Sequence, residues 1–212
     1  MDTNDLIKAL AADTRRPGFS MNAVWFATCA GALVLAGLVF SVLLGPRPDI
    51  AIVAETVRFL FKFVVTIALA AAAFVAMRVA AWPEADLRKL LPYLAIAPAL
   101  VVGGVVLELL AVPQDAWATR LIGTNSRLCL TFIPLIGLAP LGLFLLALRY
   151  GAPSRPALSG ALAGLAAGGI AATFYAAHCP DDSPLFVATW YTIAVLGLTL
   201  LGTLGARWLV RW

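Results

Sequence analysis

ALSGALAGLAAGGIAATFYAAHCPDDSPLFVATWYT, residues 157–192, is the stretch that decides the fold. It opens as an apolar run in which Gly160, Gly164 and Gly168 recur every four residues. That spacing strips one helical face to backbone and lets another helix pack closely against it. The run breaks at His178-Cys179-Pro180-Asp181-Asp182-Ser183-Pro184, and a second apolar run follows. Ser183 suits a helix N-cap and Pro184 the first helical position. Two apolar helices joined by a short polar turn read as a transmembrane hairpin. The turn holds the only histidine and one of three cysteines.

Outward from this hairpin the chain repeats the same pattern. Of 212 residues, 62% are hydrophobic and 12% charged, outside the range of soluble globular domains. Apolar runs at 24–44, 57–80, 93–112, 128–148, 157–178 and 185–206 are each near the length that crosses hydrocarbon as a helix. The expectation is an all-α membrane protein of six transmembrane helices. It comprises a cytoplasmic N-terminal segment, 1–20, and a six-span membrane domain, 21–212. The net charge of +4 is scattered over span ends and forms no basic patch with exposed aromatics, which argues against nucleic acid as a direct partner. The first apolar run is about 21 residues long, beyond a signal-peptide core of roughly 7–15, and is expected to stay in the protein as a span.

Ten of the fifteen basic residues fall on one side of this alternation: Lys8, Arg15, Arg16, Arg78, Arg88, Lys89, Arg149, Arg155, Arg207 and Arg211. The excess predicts that both termini are cytoplasmic and puts Cys129 and Cys179 together on the outer face. On the inner side, Leu6, Ile7, Leu10 and Ala11 share one helical stripe, with Thr3 as N-cap and Pro17-Gly18 as a stop. They predict a short amphipathic helix outside the bilayer. Leu87, Leu90 and Leu91 form a second stripe in the 82–92 link. Arg58 and Lys62, in the first turns of the second span, are expected to snorkel to the interface. Trp117, Leu121 and Ile122 suggest a segment lying in the interface. Pro134 and Pro140 are expected to bend the fourth span.

Few residues can carry chemistry. Cys129 and Cys179 either pack as small hydrophobes or act as a sensing or bonding pair, the latter requiring the fourth and fifth spans to be neighbours. Cys29 reads as filler. His178 and Asp181, beside the thiols, would complete a mixed donor set suited to a soft divalent metal held transiently at the cysteine pair. Their other reading is an interfacial histidine and a solvated aspartate. Glu108, inside the third span, must face a partner or water. No nucleotide loop, paired metal-protease histidines or serine nucleophile elbow is present, and no other cofactor is implied.

Several of these residues resemble the NrsF family of membrane anti-sigma factors, negative regulators of sigma-F. They are Leu6-Ile7 with Leu10-Ala11-Ala12-Asp13, Cys129 opening the fourth span, Gly151-Ala152-Pro153-Ser154-Arg155-Pro156-Ala157, and His178 to Phe186 followed by Trp190-Tyr191. The resemblance covers almost the whole chain. It implies a non-enzymatic, multi-pass protein of the cell inner membrane whose partners are the lipid bilayer and an extracytoplasmic-function sigma factor. The sigma factor would be sequestered and then released under heavy-metal or oxidative stress. The family's periplasmic cysteine pair falls on Cys129 and Cys179. Leu6, Ile7 and Leu10 then become the sigma-docking element, with the Leu87, Leu90 and Leu91 stripe as a second contact. The competing reading is a small multi-span transporter, with Glu108, the span-four prolines and the glycine-rich fifth span lining a pathway. A thiol oxidoreductase is disfavoured because no C-x-x-C motif is present.

Overall fold

The computed structural model describes residues 2–13, 20–84 and 86–210. The expected stop at Pro17-Gly18, the basic residues Arg15, Arg16 and Arg211, and the side chain of Leu10 lie outside what is described. Among the described residues the chain is helical with no strand, and six helices are long and apolar enough to cross a membrane.

The elements are α1 (Thr3–Asp13), α2 (Met21–Leu43), α3 (Ile50–Val53), α4 (Val57–Ala80), α5 (Leu91–Ala111), α6 (Trp117–Ile122), α7 (Ser126–Leu148), α8 (Pro156–Ala176), α9 (Pro184–Phe186) and α10 (Thr192–Leu209). A π-helical turn, Val187–Tyr191, joins α9 to α10. Local chemistry sets the boundaries. The Ser20 hydroxyl accepts from the Ala23 amide, the Thr56 hydroxyl from Phe59 and the Ser183 hydroxyl from Leu185, so three helices begin on side-chain caps. Gly45 ends α2 at a φ of +70°, where its amide reaches the Phe40 carbonyl. In α1 the first helical bonds go to the Asp2 carbonyl, so the cap sits one residue before the expected Thr3.

α8 is the hub. Its glycines and alanines are buried, and α10, α4 and α7 all pack on it. A Cβ at Gly160 would meet the Gly202 carbonyl oxygen, one at Gly164 would meet the Leu198 carbonyl oxygen, and one at Gly168 would come within 2.9 Å of Val195. The four-residue glycine step thus forms the α10 contact. Gly169, on another face, lies against the Ala70 backbone of α4. α2 rests on α7 and α8. α5 is peripheral and buries only Ala97 and Glu108.

At one end of the bundle, Arg78 donates to Asn22, the Ala152 amide to the Ala81 carbonyl and the Ser159 hydroxyl to the Ala80 carbonyl. At the opposite end, the α2–α3 loop, α6 and the 177–184 turn meet. Leu87 and Leu90 form a 3-10 turn packed on the core, so of the expected leucine stripe only Leu91 is exposed. α7 runs as one helix through Pro134 and Pro140. The π turn in the sixth span was not legible in the sequence.

Candidate functional site

α8 stops at Ala176 because Pro180 cannot donate to a continuing helix, and Ser183-Pro184 starts the next one. The turn between them therefore exposes its carbonyls and acids to neighbours, and every neighbouring element contributes a partner. The Arg47 amide donates to the Ala177 carbonyl at 3.0 Å. His178 Nδ1 lies 3.0 Å from the Gly45 carbonyl oxygen. A carbonyl can only accept, so Nδ1 carries a proton and donates it here.

Lys62 is the residue that sequence reasoning misplaced. Instead of snorkelling, it is fully buried, 0% exposed. Its ammonium donates to the Cys179 carbonyl at 2.8 Å and pairs with Asp182 at 2.5 Å. Arg47 reaches the other oxygen of Asp182 at 3.2 Å and forms a two-pronged pair with Asp49, 2.7 Å for each hydrogen bond. The Arg47 guanidinium holds the exposed Asp49 carboxyl below its usual value. The available signal was positional: the alternation of spans puts Lys62 and Asp182 at the same end of the bundle, and a buried ammonium needs an acid.

Asp181 is taken up in a different way. Its carboxylate accepts from the Thr124 amide at 3.0 Å and the Asn125 amide at 2.8 Å, directly ahead of α7. The approach requires Gly123, at φ +60°, where a Cβ would crowd Phe186 and Asp181. Asp181 therefore anchors the start of the helix that carries Cys129.

Cys129 and Cys179, each 0% exposed and free, come close enough for charge on one to bear on the other. Tyr175 and Tyr191, with ring centroids 5.8 Å apart, lie against both. Burial pushes the Cys179 thiol above its ordinary value, against the pull of the Lys62 ammonium. The structure thus brings together the two cysteines expected to pair. His178 and Asp181 do not join them: one is held by Gly45 and the other by the α7 start. Among the described residues no three His, Cys, Asp or Glu side chains converge on a point where a metal ion would sit. Two thiols alone suit a soft ion or a disulfide, and their burial admits only small reagents.

Glu108 also has its partners. Arg58 donates to Oε2 at 3.1 and 2.9 Å, Arg120 to Oε1 at 2.6 Å and Ser183 to Oε1 at 3.3 Å. Both oxygens are engaged, so the acidic residue that motivated the transporter reading serves here to tie α5 to α4 and the turn. Leu6 and Ile7 are exposed on α1.

The family described as "Negative regulator of sigma F", NrsF, matches residues 10–212. A protein of Caulobacter vibrioides (strain NA1000 / CB15N), called anti-sigma-F factor NrsF, is 35% identical over 214 residues and covers all of both chains. One from Azospira oryzae (strain ATCC BAA-33 / DSM 13638 / PS), called probable anti-sigma-F factor NrsF, is 32% identical over 90 residues, 42% of each chain. No solved structure matches significantly. With the match running from α1 to the C-terminus and the full-length relative aligning end to end, the chain belongs to the NrsF family of negative regulators of sigma F.

Proposed function

We propose that this chain is a regulatory, non-catalytic protein of the inner membrane with both termini in the cytoplasm. In this reading it sequesters an extracytoplasmic-function sigma factor and releases it when heavy metal or oxidant reaches Cys129 and Cys179 on the periplasmic side. The observation that carries the reading is that two buried free thiols lie near each other, Cys129 in the first turn of α7 and Cys179 in the turn clamped to α4 by Lys62. A peroxide would oxidise the pair to a disulfide, two thiols and one hydrogen peroxide giving one disulfide and two waters. A soft divalent ion would instead displace two thiol protons. Either event moves Cys179, whose carbonyl holds Lys62. α4 is a rod of 24 residues, about 36 Å long, leading from that clamp to the 82–92 link.

The expected result is that Cys129→Ser and Cys179→Ser each abolish induction of sigma-dependent transcription by cadmium or peroxide, the double variant behaving as either single one. Additive effects would mean two unrelated sites, and full induction in both single variants would remove the sensing role. His178→Ala separates the signals, since loss of the cadmium response alone makes the imidazole a ligand.

Release needs a docking element, and α1 is the candidate. Burying Leu6, Ile7 and Leu10 supplies roughly 5 to 9 kcal/mol at best, at about 1.5 to 3 per side chain. Ordering a short helix on a partner takes back about 2 to 5 kcal/mol, and association costs more. α1 alone therefore binds weakly and needs a second contact tethered through the membrane domain. With Leu87 and Leu90 turned inward, exposed Leu91 beside Arg88 and Lys89 is what that link can offer. Replacing Leu6 and Leu10 by Asp should give constitutive sigma-dependent transcription at normal membrane levels. Retained repression would exclude α1.

A further inference from the structure

A cavity of about 1360 Å³ lies between α4 and α5 at the cysteine end of the bundle. Sites for drug-sized ligands run to roughly 300–1,000 Å³, so this one is large for a compact metabolite. It runs from Arg58 and Arg120 past Leu107, Gly103 and Leu100 to Ile96. Along α5, Ile96 to Leu107 rises about 16 Å. One leaflet of hydrocarbon is about 15 Å deep, half of a core of about 30 Å. The cleft therefore reaches from the interface to near the midplane, the depth of one acyl chain. Its floor is open at Gly103, where a Cβ would meet nothing within 4 Å, whereas the next glycine is closed by the Phe61 ring.

The polar end has guanidinium donors to spare. Arg58 and Arg120, with side chains 45% and 36% exposed, share the single carboxylate of Glu108. Arg58 gives it Nε and Nη2, and Arg120 gives it Nη1. Among the described residues Arg58 Nη1 and Arg120 Nε and Nη2 have no acceptor. The other two acids of the lining are already engaged, Asp182 paired with Lys62 and Arg47 and Asp181 hydrogen-bonded by the Thr124 and Asn125 amides. Two guanidinium groups with spare planar donors at the bilayer interface match a phosphodiester.

We propose that this cleft binds one anionic phospholipid from the adjoining leaflet, with its phosphate on Arg58 and Arg120 and one acyl chain lying along Gly103. A zwitterionic lipid would bring its ammonium against the same two cations, so the site selects for net negative headgroups. The site stands independently of the sigma-factor reading, although its rim includes Asp181 to Pro184 of the cysteine turn.

The test is native mass spectrometry of the full chain in mild detergent, titrated with phosphatidylglycerol and, separately, phosphatidylcholine. One phosphatidylglycerol should be retained at least tenfold more tightly than phosphatidylcholine. Gly103→Leu fills the open floor without touching the arginines and should cut retention at least tenfold with unchanged thermal unfolding. Arg58→Gln with Arg120→Gln should erase the preference between the two lipids. If that double variant fails to fold, Gly103→Leu decides. Wild-type occupancy in Gly103→Leu, equal retention of both lipids, or no lipid retained by the wild type would each overturn the site.

Discussion

Asp182→Asn will destabilise the helical bundle by about 3 to 5 kcal/mol, the usual cost of leaving one half of a buried ion pair behind. The charge left behind is the Lys62 ammonium, with no exposed surface and only the Cys179 carbonyl for a partner. The reciprocal change, Lys62→Met, should cost less. Asp182 keeps Arg47 at 3.2 Å, and its side chain retains 19% exposure through which water can help. The Lys62→Met/Asp182→Asn double variant should recover much of the loss, because neither charge is then stranded. Thermal unfolding in detergent of the four proteins closes the cycle. If the single losses are equal and simply add, the pair is not coupled and the clamp on the cysteine turn is lost as an idea.

The second large effect belongs to the α8–α10 contact. Gly164→Val should cost about 3 kcal/mol, the upper end of ordinary overpacking, because the new side chain meets backbone that cannot rotate away. A Cβ there would come within 2.5 Å of the Thr199 Cα as well as meeting the Leu198 carbonyl. The control is Gly197→Ala on α10, which faces open space and should be neutral or stabilising by up to about 1 kcal/mol, as glycine is a poor helix former. Equal melting temperatures for the two variants would mean that the helices are held apart by something other than the glycine face.

What the sequence made legible divides along physical lines. Properties carried by one helix at a time were readable. α4 spans the 57–80 anticipated from its apolar run, and α8 ends ahead of the proline turn as expected, though two residues before His178. That Cys129 and Cys179 lie at one end of the bundle was readable because strict alternation of helices sorts residues by side. Lys62 was misread because snorkelling is a single-helix argument, whereas its burial depends on an acid from a turn more than a hundred residues away. The inward rotation of Leu87 and Leu90 depends on a 3-10 turn, whose three-residue repeat replaces the 3.6-residue stripe that had put them beside Leu91. Tyr175 drew no notice and Tyr191 entered only within the family motif, because an aromatic in an apolar run gives no sign of what it covers. The bond from Asp181 to the start of α7 was not readable for a related reason: the backbone amides it caps belong to another helix.

The position of the hub in the chain has a consequence for how the protein is made. α8 is the fifth of the six long apolar helices to leave the ribosome, yet α4, α7 and α10 all use it as their common partner. Before it arrives, the packed pairs are α2 with α7 and α4 with α5, touching through the Phe74–Phe144 ring contact at 5.8 Å. Without α8 the earlier helices have these contacts and no common partner. Full packing of α4 and α7 therefore waits for synthesis to pass residue 176, and Cys179 follows α8 directly, so a chain long enough to carry both thiols already carries the hub that their elements pack on.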